Sequence, residues 1–235
     1  MRDESRASRI LCLGDSTTFG LGVNDDDTWP HQLQMILGAH RKDVQVLNAG
    51  VSGYSSLQGL AALRDTGVLF APQLVIVTFG YNDQSTSWKG HYDIQAASDG
   101  FLLTLLKKLW EEEGSPQSPR LTPGQYFDTM REIADVCAAH GAKCLFVAWP
   151  SKTELDPPQT ARIIESQAAA PYEPSSYYHL VPFIAALSGA AWIDLYPHVK
   201  DAHPLIDMVH YNADGNRRVA QAIADLVTSQ ELFLR

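Results

Sequence analysis

The stretch ILCLGDSTTFG, residues 10–20, passes from an apolar run directly into a serine, Ser16, that has glycines on both sides. A short apolar run that ends at turn residues is typical of a strand buried on both faces of a parallel sheet. Gly14 and Gly20 let the backbone turn sharply and leave space for a substrate. Open α/β sheets gather their ligands at the carboxyl ends of their strands, so we expect Ser16 at a binding edge.

Four more apolar runs follow, with helical patterns between them. The five predicted strands cover residues 10–13, 44–47, 74–78, 144–148 and 191–194. Helix starts are marked by Thr28 before Trp29-Pro30 and by the capping box of Thr122 and Gln125, and a final helix is expected at about 213–232. This alternation predicts a flavodoxin-like three-layer α/β/α sandwich with a five-stranded parallel sheet in the order 2-1-3-4-5.

Length and composition favour one domain over residues 1–235. Insertions at about 84–122, with an extra helix near 98–113, and at about 151–178 are longer than crossovers need; they form either binding loops or surface elaboration. The net charge of -9 argues against nucleic acid as a partner. Buried free thiols are the simplest interpretation of the cysteines, which are Cys12, Cys137 and Cys144.

No signal peptide or membrane span is visible in the sequence. Residues 1–9 are polar and charged, and the longest apolar stretch, residues 180–192, is shorter than a spanning helix requires. We therefore expect a soluble protein, cytoplasmic as given, or secreted or periplasmic if a leader was removed. The sequence does not define the oligomeric state.

A serine hydroxyl is nearly inert at neutral pH, so it needs a base and a third group that orients the base. Of the eight histidines, His210 is the best placed, because Asp207 precedes it by three residues and a predicted final helix follows. One loop could then present a carboxylate to one imidazole nitrogen and leave the other for Ser16. The alternative is that Asp207 and His210 merely cap and pack that helix.

Acyl transfer also needs hydrogen-bond donors for the oxyanion that forms when a carbonyl is attacked. Two segments after predicted strands offer them: residues 48–55, which contain Gly53, and residues 80–83, which contain Asn82. A glycine can turn its backbone N–H towards a substrate, and an asparagine can donate its amide. Both residue types are also ordinary in turns.

In this order, the four segments resemble the blocks of the SGNH hydrolase (GDSL-like esterase/lipase) family. The resemblance implies that Ser16 is the nucleophile, His210 the base and Asp207 its orienting group. It also implies an oxyanion hole formed by the N–H groups of Ser16 and Gly53 and by the Asn82 side chain. Two positions depart from the family pattern: Thr17 stands where leucine is usual, and Tyr211 follows His210 where proline is frequent.

We expect a serine esterase that acts on small carboxylic esters, short-chain acyl or acetyl esters first, without a metal or an organic cofactor. An O-acyltransferase, a thioesterase or a lysophospholipase would use the same acyl-serine. More distant alternatives are a non-catalytic carbohydrate-binding relative and a flavin-binding flavodoxin-like module. A metal site is a further alternative, formed from the His/Asp-rich stretch of His198, Asp201, His203, Asp207 and His210.

Several residues near the motifs are candidates for contact with the substrate. They could line a platform for a sugar or a groove for an acyl chain. The principal candidates are Asp15, Tyr54, Tyr81, Trp88 and Tyr211. Trp29 and Tyr172 are further aromatic candidates, and most of these aromatic residues are equally suited to core packing.

Overall fold

The computed structural model describes residues 8–85, 119–156 and 176–232. The helix predicted near 98–113 and the substrate candidates Trp88 and Tyr172 lie outside the described residues.

The sheet has five parallel strands in the order β2-β1-β3-β4-β5, which confirms the predicted topology. The strands are β1 (Ser8–Gly14), β2 (Val44–Gly50), β3 (Leu74–Thr78), β4 (Lys143–Ala148) and β5 (Ala191–Asp194). β1 lies between β2 and β3, and the register pairs Gly14 with Gly50 on one side and with Thr78 on the other. The loops that follow these three strands therefore leave the sheet side by side at its carboxyl edge.

Helices cover both faces of the sheet. In chain order the described helices are α1 (Ser16–Phe19), α2 (Trp29–His40), α3 (Ser56–Asp65), α4 (Tyr81–Gln84), α5 (Pro123–Ala139), α6 (Lys152–Leu155), α7 (Ser176–Ser188), α8 (Tyr196–Val199) and α9 (Ala213–Ser229). The Thr28 side chain caps α2, and Thr122 and Gln125 form the capping box of α5, as predicted. The final helix begins where it was expected and ends at Ser229.

Two hydrophobic cores lie on opposite faces of the sheet, because successive strand residues point to opposite sides. Leu11 and Leu13 of β1 face a core completed by α3, α5 and α7. Ile10 and Cys12 face a second core completed by α2 and α9. Full burial of one such aliphatic side chain contributes about 1.5–3 kcal/mol, so both cores hold the strand ends in place. All three cysteines are free and buried, as predicted.

Candidate active site

Ser16 is the first residue of the four-residue helix α1, at the end of β1. Asp15 caps this helix: its Oδ1 accepts hydrogen bonds from Thr17 N at 2.9 Å and from Thr17 Oγ1 at 2.8 Å. Gly20 ends the helix with a positive φ of 94°. The cap at one end and the glycine at the other fix the turn that presents Ser16, which is itself 8% exposed.

Gly50 brings the end of β2 against α1. A Cβ atom at this position would lie 2.2 Å from Phe19 N, so a side chain would push the two segments apart. Beyond it, Tyr54 N donates to Val51 O at 3.1 Å and closes a four-residue turn. Gly53 occupies the third position of this turn with a φ of 82°, which type II turns require and which glycine adopts without strain. The turn lies beside the loop that carries Ser16.

The loop before α9 is shaped by Asp207. Its Oδ1 accepts hydrogen bonds from the backbone N–H groups of Val209 and His210, both at 2.9 Å. Its Oδ2 accepts from His210 Nδ1 at 2.7 Å. One carboxylate therefore both folds the loop and sets the plane of the imidazole.

His210 connects this loop to Ser16. When Nδ1–H donates to Asp207, Nε2 is left as an acceptor, and it lies 2.7 Å from Ser16 Oγ. The serine hydroxyl then donates its hydrogen to Nε2, which is the contact a general base needs. The structure thus brings together the three residues that the sequence assigned to nucleophile, base and orienting group.

The charge of Asp207 supports this arrangement. Partial burial favours its neutral form, but the hydrogen bonds from the Val209 and His210 backbone and from the His210 ring outweigh burial and lower the pKa of Asp207. The carboxylate therefore stays ionised at neutral pH. A negative group at this distance stabilises a positive charge on His210.

The predicted oxyanion donors differ in whether they already donate a hydrogen bond to another group. In the described part of the chain, the backbone N–H groups of Ser16 and Gly53 have no hydrogen-bond partner. Asn82 Nδ2, in contrast, donates to Tyr54 O at 3.0 Å and to Asp15 Oδ2 at 3.3 Å. The Asn82 amide thus links the Gly53 turn to the cap of α1, and the longer of its two bonds is the easier one for another acceptor to displace.

Asp83 forms buried contacts that the sequence did not indicate. Its side chain is fully buried, and its Oδ1 accepts from Ser56 N at 2.8 Å and from Ser56 Oγ at 2.6 Å. Its Oδ2 is buried without a hydrogen-bond partner among the described residues. Burial raises the pKa of Asp83 to about 6, although the Ser56 hydrogen bonds oppose the shift. The sequence feature that could have drawn attention to Asp83 is its position directly after Asn82.

The substrate candidates take different positions, and Tyr211 is the clearest correction. Its ring is buried and stacks on Trp149, and its hydroxyl donates to Pro150 O at 2.6 Å, so it belongs to the core and does not face a substrate. Asp15 is likewise a buried cap. Trp29 is completely buried in the core, in agreement with the alternative that it is a packing residue.

Tyr54 and Tyr81 are both partly exposed. Tyr54 packs against the core on the α3 side of the sheet. Tyr81 borders a small cavity of about 30 Å³ next to Asp15 and Thr17, a volume suited to a water molecule or a very small group. Burial raises the pKa of the Tyr81 phenol, which keeps it neutral and able to donate a hydrogen bond.

The His/Asp-rich stretch does not come together as a unit. His198 lies in α8, whereas Asp207 contacts His210, and His210 contacts Ser16. Across residues 8–85, 119–156 and 176–232, no group of three or more histidine, cysteine or acidic side chains is arranged to hold a metal ion. In the same segments, no helix is both long and apolar enough to cross a membrane.

Comparison with known proteins identifies the family. The model of the GDSL-like Lipase/Acylhydrolase family matches residues 12–218, so the chain belongs to this family. An arylesterase of Vibrio mimicus is 38% identical over 80 residues, which are 34% of this chain and 40% of the arylesterase. Esterase TesA of Pseudomonas aeruginosa is 34% identical over 83 residues, which are 35% of this chain and 41% of TesA. These matches thus span less than half of either relative.

The fold is similar to that of a solved structure. A crystal structure of TesA superposes with a TM-score of 0.65 at 21% identity, covering 94% of this chain and 99% of the TesA chain. This similarity concerns the fold. The fold of this chain is therefore similar to that of TesA.

Proposed function

We propose that this protein is a serine esterase that hydrolyses carboxylic esters of small molecules through an acyl-serine intermediate, with short-chain acyl or acetyl esters as the preferred substrates. One observation carries the proposal: His210 bridges Ser16 and Asp207 through two contacts of 2.7 Å. The names of the relatives, arylesterase and esterase, support an ester as the substrate.

In the first step, His210 Nε2 takes the proton from Ser16 Oγ while Oγ attacks the ester carbonyl carbon. The carbonyl π electrons move to the oxygen and form an oxyanion. Asp207 stabilises the positive charge that develops on the imidazole. The tetrahedral intermediate is therefore formed with each new charge close to a group of opposite sign or to a donor.

The oxyanion is held by the N–H groups of Ser16 and Gly53 and by Asn82 Nδ2. The two backbone donors have no partner among the described residues. Asn82 joins them when the oxyanion replaces its 3.3 Å bond to Asp15. The two backbone donors, set in place before the reaction, need little reorganisation in the transition state, whereas Asn82 exchanges one hydrogen bond.

The intermediate collapses when the imidazolium gives its proton to the leaving alcohol and the C–O bond to the alcohol breaks. Water then enters, loses a proton to His210 Nε2 and attacks the acyl carbonyl. The acid leaves, and Ser16 recovers its proton. Each proton in this sequence of steps passes between Ser16, His210, the leaving alcohol and water.

The test is hydrolysis of p-nitrophenyl acetate by wild type, Ser16→Ala and Ser229→Ala. Ser229 is an exposed serine at the end of α9, so it controls for loss of a serine hydroxyl. Ser16→Ala should lower kcat on the order of 10⁴-fold or more, and Ser229→Ala should leave it unchanged. A fluorophosphonate probe should label wild type at Ser16. Wild-type kcat/KM in Ser16→Ala would exclude the mechanism.

A further inference from the structure

We propose that Arg120 is a positioning residue that holds the Gly53 turn in the orientation required for oxyanion binding. The inference rests on the proposed esterase function and adds a residue to which the motifs assign no role. Arg120 is far in sequence from Gly53, and it lies near the end of the segment that the sequence suggested as an insertion.

Gly53 needs an external restraint. It is exposed, and a Cβ atom built on it would meet no other atom within 4 Å, so packing does not hold it. Glycine also has the widest choice of backbone conformations of any residue. The direction of its N–H therefore depends on the hydrogen bonds around the turn.

Arg120 supplies such a restraint through both of its terminal nitrogens. Nη1 donates to Gly53 O at 2.6 Å, and Nη2 donates to Gln58 Oε1 at 2.8 Å. Gln58 Oε1 also accepts from Ser55 N at 3.0 Å in the capping box of α3. The guanidinium thus ties the glycine turn to the start of a helix that is anchored in the core.

The backbone around Arg120 is attached to the loop that carries Asn82. Arg120 N donates to Ser85 O at 3.0 Å, and Leu121 N donates to Asp83 O at 3.1 Å. One short segment therefore connects the Gly53 turn with the Asn82 loop. A planar, permanently charged guanidinium with fixed donor directions is better suited to this double contact than a lysine ammonium is.

This arrangement predicts an effect on the transition state and little effect on ground-state binding. Displacement of a single oxyanion donor costs on the order of 10²-fold in kcat, and small misplacements have comparable effects. The substrate carbonyl in the ground state carries little charge, so KM should change by less than about threefold. A purely structural residue would instead reduce stability without this split.

The experiment compares Arg120→Ala, Arg120→Lys and the control Arg64→Ala, in which an exposed arginine of α3 that pairs with Glu132 is removed. With p-nitrophenyl acetate, Arg120→Ala should lower kcat about 10- to 100-fold at nearly constant KM, and Arg120→Lys should lie in between. Guanidinium chloride at low millimolar concentration should raise kcat of Arg120→Ala several-fold, whereas sodium chloride should not. Thermal unfolding of each variant is recorded in parallel.

The outcomes separate this inference from the proposed function. If Arg120→Ala keeps kcat within twofold of wild type, or loses activity without the kcat-specific pattern and without guanidinium rescue, the positioning role is wrong. If Ser16→Ala is inactive in the same assay, the esterase mechanism stands in either case. If Ser16→Ala stays active, the esterase mechanism itself fails.

Discussion

His210 Nε2 and Ser16 Oγ lie 2.7 Å apart although 194 positions separate them in the chain. The tertiary fold explains the contact, because β1 is an interior strand of the sheet and the loop before α9 reaches the turn at its carboxyl end. β1 and α9 come from opposite ends of the sequence, and both pack in the core that contains Ile10 and Cys12. The serine and the histidine are therefore brought together by the tertiary fold and not by a local motif.

Asp207→Asn should lower kcat about 10²- to 10⁴-fold. Asparagine can keep an oxygen for the two backbone N–H groups, but its amide would donate towards His210 Nδ1 and favour the tautomer with hydrogen on Nε2. That tautomer cannot accept the Ser16 proton. The measurement is kcat for p-nitrophenyl acetate, with Asp225→Asn on α9 as the control. Retention of more than half of the wild-type kcat in Asp207→Asn would remove Asp207 from the mechanism.

Asn82→Ala should lower kcat on the order of 10²- to 10³-fold, because an oxyanion donor is lost. KM should stay close to the wild-type value, since the donor acts on charge that develops after binding. Asn24→Ala is the matched control, because Asn24 is an exposed asparagine that donates to Asp27. An unchanged kcat in Asn82→Ala would show that its bonds to Tyr54 and Asp15 serve the fold alone.

Asp83 should make the stability of the protein depend on pH. Burial raises its pKa to about 6 in the folded state, compared with about 3.9 in an unfolded chain. Between these values the folded state holds a proton that the unfolded state has released. The free energy of unfolding therefore falls as pH rises from about 4 to 6, and this contribution stays lost at higher pH.

Asp83→Asn removes that dependence. The free energy of unfolding of the variant minus that of wild type should become more positive by up to about 3 kcal/mol between pH 4 and pH 7. Denaturant titrations at several pH values measure the difference, and Asp225→Asn again serves as the control. Parallel curves for Asp83→Asn and wild type would contradict a raised pKa.

Tyr211→Phe should affect stability and leave catalysis unchanged. The substitution leaves Pro150 O without its buried donor, which costs about 1–3 kcal/mol. Because the ring is in the core, kcat and KM should stay within about twofold of wild type. Tyr196→Phe, at a partly exposed tyrosine, should change neither quantity. A selective increase in KM for Tyr211→Phe would instead indicate that Tyr211 contacts the substrate.

The strands could be predicted because each combines a short apolar run with turn residues at its end. The bounds of the strands were harder to predict. β2 continues through Asn48 to Gly50, beyond its apolar part, because its backbone still pairs with β1 up to Gly14. β2 is an edge strand with much of its surface exposed, so hydrophobicity ends before the hydrogen bonding does. The apolar pattern of a strand reflects its burial, whereas the length of the strand reflects its backbone hydrogen bonding to a neighbouring strand.

The contact among Ser16, Asp207 and His210 could be predicted from the order of the motifs that contain them. The site was not predictable where neighbours decide the role. Tyr211 adjoins His210, but it pairs with Leu205 in an isolated bridge, and successive residues in extended backbone point to opposite sides. Arg120 follows no periodic pattern, and its contact with Gly53 spans 67 positions. Contacts of that range depend on the folded topology.

The long separation between Ser16 and His210 has a consequence for biosynthesis. A ribosome makes the chain from its amino end, so Ser16, the proposed nucleophile, leaves the exit tunnel well before His210, its proposed base. A nascent chain of 200 residues would carry every strand of the sheet but no His210. If Ser16 depends on His210 as proposed, attack on an ester carbonyl can begin only after His210 has been translated and the loop before α9 has folded, so shorter nascent chains cannot hydrolyse esters.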